Sequence, residues 1–548
     1  MKLNTQQHKL VVALRGAALA GTVAVCAPAQ ALQFEQGDWL FNVDTTMGYS
    51  AQWRTESRDK DLESVLNDND GNNSFDAGSM TSSKASFILE LGGSYEDFSF
   101  FVRTDGHYDY VYTDGTSDMS RDNYLSFNSG IPVGGSVVRG EFARGTIEEH
   151  GRRIRLLDAF VTYAFDVGDT MGGAIRAGHQ VISWGEATFY PGVNAIQNPI
   201  DSAVALAPGV EAKTVFLPTP AIDLKWDFNF NLSAEVYYKE GWDGSTLPGV
   251  GSYLSSSDIT GPGAENLIFF PGVPANGKVG GKEKPGDSDG QYGVALRYIT
   301  DNGTNFDFYY TESHSNIPNA RVDINLSRFQ ALVNETYAED VKIWGASFST
   351  NVSEAQVYAD VAYSENMPFV DLTPTTYIDD NGDVHFVQSD TTRGHYYQVI
   401  AGFTDLYTAF DWLSEQITLL GEVIYQGNNL GEGSLSEDAA GARNGVLVTD
   451  DAWGYQFRLS LKYFQVIRGM DVDVPITFKH DVDGYGNGIA LNNGLKEGVK
   501  TASFGVTANY LSNWTFDARY NWYFGNDDPA DKVLSDRDNF ALDIKYRF

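Results

Sequence analysis

Cysteine is almost missing from this chain: its 548 residues hold one, Cys26, which excludes an intramolecular disulfide framework. Positive charge is scarce too. Lys and Arg number 38 against 73 Asp and Glu, a net charge of −35, which argues against nucleic acid as a partner. Beyond the first 31 residues no apolar run is long enough for a membrane helix. Catalytic signatures are lacking as well: there is neither a His-Glu-x-x-His helix nor a Gly-x-Ser-x-Gly elbow. Gly249-Val250-Gly251 and Gly484-Tyr485-Gly486 have no strand-to-helix context. Ser313 and His314 are adjacent, so in a strand they point to opposite faces and form no nucleophile–base pair. The chain is expected not to be an enzyme and to need no cofactor.

What is present sits first at the two ends. Lys2 and Lys9 precede a mostly apolar stretch, Leu10 to Ala29, and Ala29-Gln30-Ala31 has the small-x-small pattern of a signal-peptidase site. Cleavage after Ala31 is expected, which removes Cys26 and leaves about 517 residues with a charge near −38. At the other end Phe540, Leu542, Ile544, Tyr546 and Phe548 alternate with Ala541, Asp543, Lys545 and Arg547. Such a period-2 strand, closing on Tyr546 and Phe548, is the form of signal that the barrel-assembly machinery of Gram-negative bacteria reads.

Between the ends one theme repeats: a strand of alternating apolar and polar residues, a short turn, another such strand, a long polar loop. Phe41, Val43, Thr45, Met47 and Tyr49 share one face, and Asn42, Asp44, Thr46, Gly48 and Ser50 the other. The pattern returns in Ala85 to Tyr95, Phe98 to Tyr110, Leu157 to Phe165, Phe230 to Tyr238 and Tyr292 to Tyr298. It closes with Trp453 to Tyr463, Phe504 to Tyr510 and Trp514 to Trp522. Aromatics are plentiful, with Tyr 30, Phe 33 and Trp 10. A chain without membrane helices can still span a bilayer by closing a barrel. The expectation is an all-β, transmembrane, antiparallel up-and-down barrel in the outer membrane, surrounded by lipid and lipopolysaccharide. It has 18 strands, with 16 as the alternative. Starts fall near residues 40, 84, 98, 155, 173, 221, 230, 291, 305, 341, 355, 395, 417, 452, 470, 500, 514 and 540. Long loops are expected near 57–82, 113–153, 186–220, 241–290 and 427–451, on the outside, with both termini in the periplasm.

The loops 186–220 and 241–290 are rich in Pro and Gly, and the second carries the apolar patch Leu267-Ile268-Phe269-Phe270. Either they cover the surface or one or two enter the lumen as a constriction. Inner-face residues expected to line a path are Arg103, Asp105, His107, Arg176, Gln180 and Arg297, with Trp184 and Glu186 beside them. They either pair with one another or set a preference for ions or solutes. Asp68, Asp70, Asn72 and Asp76 offer hard oxygens around Gly71, a weak candidate for loop-bound Ca²⁺. The EF-hand register fails at Leu66, and a solvated acidic loop is the plainer reading.

The segment Arg176-Ala177-Gly178-His179-Gln180-Val181-Ile182-Ser183-Trp184-Gly185-Glu186-Ala187-Thr188-Phe189, followed by Asn198-Pro199-Ile200-Asp201, resembles the domain-of-unknown-function 1302 family of proteobacterial outer-membrane proteins. Trp53-Arg54, Asp70-Gly71-Asn72, Gly293 to Tyr298, Ser313-His314-Ser315 and Asp536-Arg537-Asp538 fit the same resemblance, which covers essentially the whole chain after residue 31. His179 and Asn316-Ile317-Pro318 depart from it, standing where the family often has arginine; if those positions line the lumen, its charge is lowered. The resemblance implies the company of a periplasmic or lipidated partner protein and an export pump of the resistance-nodulation-division type. It also implies envelope traffic in hydrophobic compounds. Three functions are therefore in view: a partly plugged channel or transporter for a hydrophobic or amphipathic compound, an open porin for small polar solutes, and a structural or docking barrel.

Overall fold

The computed structural model describes residues 32–63, 67–115, 141–190, 192, 197–267, 277–283, 285, 290–408, 412–430, 435–437, 443–487, 494–525 and 534–548. The expected cleavage site at Ala31 and most of the apolar patch 267–270 lie outside them.

Alternation of apolar and polar residues commits each strand to two unlike faces, and closure into a ring pairs every edge. Eighteen strands do this: β1 (Trp39–Arg54), β2 (Met80–Tyr95), β3 (Phe98–Asp109), β4 (Arg152–Val167), β5 (Met171–Gln180), β6 (Thr219–Asp227), β7 (Leu232–Lys239), β8 (Gln291–Ile299), β9 (Asn305–Ser313), β10 (Val341–Val352), β11 (Ala355–Asp371), β12 (Val384–Tyr407), β13 (Gln416–Asn428), β14 (Asp451–Ile467), β15 (Met470–Asp483), β16 (Lys500–Tyr510), β17 (Trp514–Phe524) and β18 (Asn539–Arg547). Neighbours are antiparallel throughout, and β18 pairs with β1, from Thr46 opposite Arg547 to Arg54 opposite Asn539, to close the barrel. The count is 18, and the alternative of 16 falls.

The outer face exposes large apolar side chains, among them Val161, Tyr163, Val236, Leu296, Phe504 and Trp522. A band of this kind is stable in lipid, where the ring leaves no ladder hydrogen bond unmade. Among the described residues no helix is long and apolar enough to cross a membrane, which says nothing against crossing by strands. One end of the barrel has tight turns, such as Glu96-Asp97, where Glu96 takes a left-handed conformation (φ 49°). The other end has the long loops. There β11 and β12, of 17 and 24 residues, run past the roughly 9–11 residues a bilayer needs. A hairpin of Asn319–Asn325 and Gln330–Thr336 pairs with the start of β12 and with Gly277–Glu283. Leu32–Gln36 folds back on the start of β1.

Three sequence expectations need correction. Leu157 is not on the outer face but 2 % exposed. Val102 pairs with Ala159 while Thr104 pairs with Leu156, so Leu157 and Asp158 together oppose Arg103. This β-bulge reverses the facing of every residue before it on β4. Ile154 and Leu156 turn outward, and Arg153 and Arg155 turn inward. Tyr110 does not continue β3; Asp109 accepts from the Val111 N–H and starts a short helix, Tyr110–Thr113. Phe230 lies in the turn before β7 rather than on its outer face.

Candidate functional site

The family-like segment after β5 leaves the wall and crosses the barrel interior. At its base the Asn198 side chain grips Ile182, accepting from its N–H (3.1 Å) and donating to its carbonyl. Trp184, 2 % exposed, stacks on Tyr309 (5.5 Å) and packs against Tyr237 (5.1 Å). Gly185 then turns the chain with φ 98°, and a Cβ there would stand 2.9 Å from an Asp360 oxygen. The next five backbone N–H groups meet two carboxylates. Asp360 of β11 accepts from Glu186 and Ala187 (both 2.9 Å). Glu422 of β13 accepts from Thr188, Phe189 (2.8 Å) and Tyr190 (3.1 Å), and also from the Tyr358 hydroxyl (2.6 Å). These strands lie six and eight places from β5 in a ring of 18, so the segment reaches the far side.

Its return half is tied back to the near wall. Asp201 caps the short helix Ser202–Ala205 by accepting from Val204 N–H (2.9 Å). Its other oxygen binds Arg153 (2.7 Å) and Arg155 (2.6 Å) of β4. Burial alone would raise the Asp201 carboxyl; the two guanidiniums outweigh it and hold its pKa below the usual value. Lys84 of β2 donates to the Pro208 carbonyl (2.8 Å), Lys213 pairs with Glu90 of β2, and Glu211 pairs with Lys545 of β18 (2.5 Å). Residues 181–190 and 197–218 are thus fastened to opposite sides of the barrel.

Of the expected path residues, Arg103 and Asp105 adjoin this fastening, and Arg176, Gln180 and Arg297 are bonded within the wall. Arg103 binds Glu90 (2.9 Å) and Asp158 (2.6 Å) and lies over Phe101. Asp105 takes a two-pronged contact from Arg155 (2.8 and 3.0 Å). Arg176 faces Asp223 (3.5 Å) and lies over Phe160. Gln180 is fully buried and donates to the Arg176 and Ala221 carbonyls. Arg297 pairs with Glu235 (2.6 Å) and, with Lys225 and Ser233, borders a cavity of about 370 Å³. His107 borders a smaller one of about 60 Å³ beside Lys84, Asp109 and His150, and its Nε2 makes no hydrogen bond. His179 lies on the outer face with Ile175, so its departure from the family pattern does not touch the lumen. Sequence reasoning missed Arg153, Arg155 and Asp201 as a group; the Asn198-to-Asp201 motif was the available signal. Tyr546 packs on Trp514 (4.6 Å) and Phe548 (5.6 Å).

A second set of family-like pieces converges above the near wall. Arg54, fully buried, donates to the carbonyls of Glu56 (2.8 Å), Asn72 (3.1 Å), Phe75 (2.9 Å) and Asp536 (2.8 Å), and pairs with the Asp536 carboxylate (2.9 Å). Arg537 binds the other Asp536 oxygen and the Tyr253 carbonyl. The calcium candidates sit here but do not form one cage. Asp70 and Asn72 are buried in the helix Asp70–Asn73, Asp76 pairs with Arg58 (2.8 Å), and both Asp70 and Asp68 act on the buried Asp258. Among the described residues no three acidic, His or Cys side chains are placed to hold a metal. Ser313 and His314 serve structure: His314 Nδ1 accepts from the Asp340 N–H (3.2 Å).

The profile of one family, described as a protein of unknown function (DUF1302), matches residues 12–548. The chain belongs to the DUF1302 family. No match is found among curated proteins. Solved structures resemble it distantly. OccAB4 of Acinetobacter baumannii is 11% identical over 95% of this chain and 100% of that one, with a TM-score of 0.43. OccK1 (OpdK) of Pseudomonas aeruginosa is 11% identical over 93% and 98%, with a TM-score of 0.39. OmpF of Salmonella typhi, solved as a complex with daunomycin, is 10% identical over 94% and 100%, with a TM-score of 0.38.

Proposed function

We propose that this DUF1302 barrel is an outer-membrane channel, narrowed by residues 181–218, that passes an amphipathic compound, with its short turns and both termini in the periplasm. The observation that carries the reading is the two-sided fastening of that segment. A loop serving only as surface cover has no reason to place five consecutive N–H groups on two carboxylates across the lumen. Each hydrogen bond to an ionised acceptor contributes about 1.5–3 kcal/mol, enough to hold the segment as a fixed constriction rather than a loose flap.

One observation favours the open porin for polar solutes as a second reading. Arg458 and Arg519 face the interior and remain 46 % and 40 % exposed, as water-lined walls require. Planar-bilayer recording of the refolded protein separates the two. The narrowed channel should give small, fluctuating currents, whereas a steady large conductance would favour the open porin. Complete silence with a folded protein would contradict both and leave the docking barrel.

A further inference from the structure

We infer that the barrel holds a binding chamber for an uncharged, hydroxylated amphipath, the chemical class of aryl and alkyl glycosides, between the loop assembly and the wall β15–β17. The inference rests on the channel reading above, for which the chamber is a station on the path.

The cavity measures about 700 Å³, within the range of sites that enclose small molecules. Its lining mixes hydroxyl-bearing and apolar side chains. From the wall, Thr477, Thr501, Ser503 and Asn521 face inward, because their neighbours Phe504 and Trp522 face lipid. The hydroxyls of Thr477, Thr501 and Ser503 make no hydrogen bond to protein among the described residues, so they are open to a ligand or to water. From the loops, Ile200, Leu206, Leu254 and Ile317 supply apolar surface beside the hydroxyls of Ser202, Ser255 and Ser256.

Charge is the decisive feature. In a chain with 73 acidic residues, no described residue lining this chamber is acidic. Its one charged side chain, Lys479, is spoken for: its Nζ lies 3.1 Å from Asp481, which also accepts the Lys496 N–H (3.3 Å). A bare ion entering here would lose hydration without gaining a free counter-charge. A purely polar solute would leave the leucines and isoleucines against water. A purely apolar one would strip the three hydroxyls without replacing their hydrogen bonds. A molecule with one apolar and one hydroxylated part satisfies both kinds of lining.

The test uses salicin, an uncharged aryl glucoside, with its two halves, glucose and salicyl alcohol, and the anion salicylate. Binding to the full-length mature protein in lipid nanodiscs is measured by saturation-transfer NMR, with empty nanodiscs subtracted, so it does not depend on whether the protein conducts. Salicin should bind with a Kd about ten-fold or more below that of either half or of salicylate. Ser503→Trp, which fills the chamber, should weaken salicin about ten-fold or more; Thr477→Phe on the adjacent strand is the second variant should the first not fold. Equal binding of salicin and either half, tighter binding of salicylate, or an unchanged salicin Kd in the folded variants would overturn the inference. Bilayer current judges the channel reading separately: current without salicin binding ends this inference alone, and salicin binding without current ends the channel.

Discussion

The Glu422 carboxylate of β13 accepts the backbone N–H of Phe189 at 2.8 Å, although 233 residues separate them and Phe189 belongs to the segment that follows β5. With Asp360 it forms a pair of acceptors for consecutive amides, much as a helix N-cap would. Removing both carboxylates, in Asp360→Ala with Glu422→Ala, strands those amides. Their hydrogen exchange, read by mass spectrometry over residues 186–190, should speed up by about ten-fold or more, while exchange in β1–β3 stays unchanged.

Gly293 of β8 faces Trp184. A Cβ there would stand 2.8 Å from the indole and 2.5 Å from the Tyr237 ring. Gly293→Val should therefore push Trp184 out of its stack, at a cost of about 1–3 kcal/mol. The expected readout is a red shift of tryptophan emission with a lowered temperature of heat-modifiable migration.

Asp201 holds Arg153 and Arg155. Replacing it by Ala leaves two guanidiniums without this partner, and removing a buried partner typically destabilises by about 3–5 kcal/mol. The sign with pH follows from its depressed pKa. The folded state binds the proton less readily than the unfolded chain, so the ion pairs stabilise above the ordinary carboxyl pKa and weaken as pH falls through the lowered one. In pepsin digestion carried out at each pH, residues 197–218 should stay protected near pH 5 and become cleavable below about pH 4, the ordinary carboxyl range. Asp201→Ala should lack that protection throughout.

Asp258 shows the opposite sign. Burial, then the nearby Asp70 and Asp68 carboxylates, raise its pKa well above 3.8, and burial pushes Asp68 up to about 7. The folded loops bind these protons more tightly than the unfolded chain, so their packing weakens as pH rises between about 4 and 7. His150 acts the other way. Burial lowers it to about 4, and its neutral Nε2 accepts the Gly249 N–H (2.9 Å), a hydrogen bond that protonation of the imidazole breaks. Comparing wild type with Asp258→Asn isolates the first effect: proteolysis of residues 245–264 should quicken from pH 5.5 to 8 more in wild type than in the variant.

Much of the barrel was legible because a lipid-facing strand must alternate, and a period of two survives in Trp453 to Tyr463 or Phe504 to Tyr510 without any knowledge of partners. That logic failed at Leu157, where one extra residue opposite Arg103 reversed the facing of Arg153 and Arg155. Bulges leave no mark on local hydropathy. The crossing was illegible for a different reason. Asp360 and Glu422 read as ordinary inward acids, and their partners are backbone amides, which every residue but proline carries. The motif at 176–189 and 198–201 marked the crossing segment; within it Gln180 and Trp184 are buried and Arg176 faces a carboxylate, as do Arg103 and Arg297 outside it.

The most direct test is single-channel conductance of the wild type beside the Asp360→Ala, Glu422→Ala double variant, recorded in planar bilayers under the same salt. If residues 181–218 narrow the lumen and those two carboxylates hold them there, the variant should conduct about two-fold or more above wild type, with longer open events. Identical conductance and gating, in a variant whose amides at 186–190 exchange freely, would contradict the account.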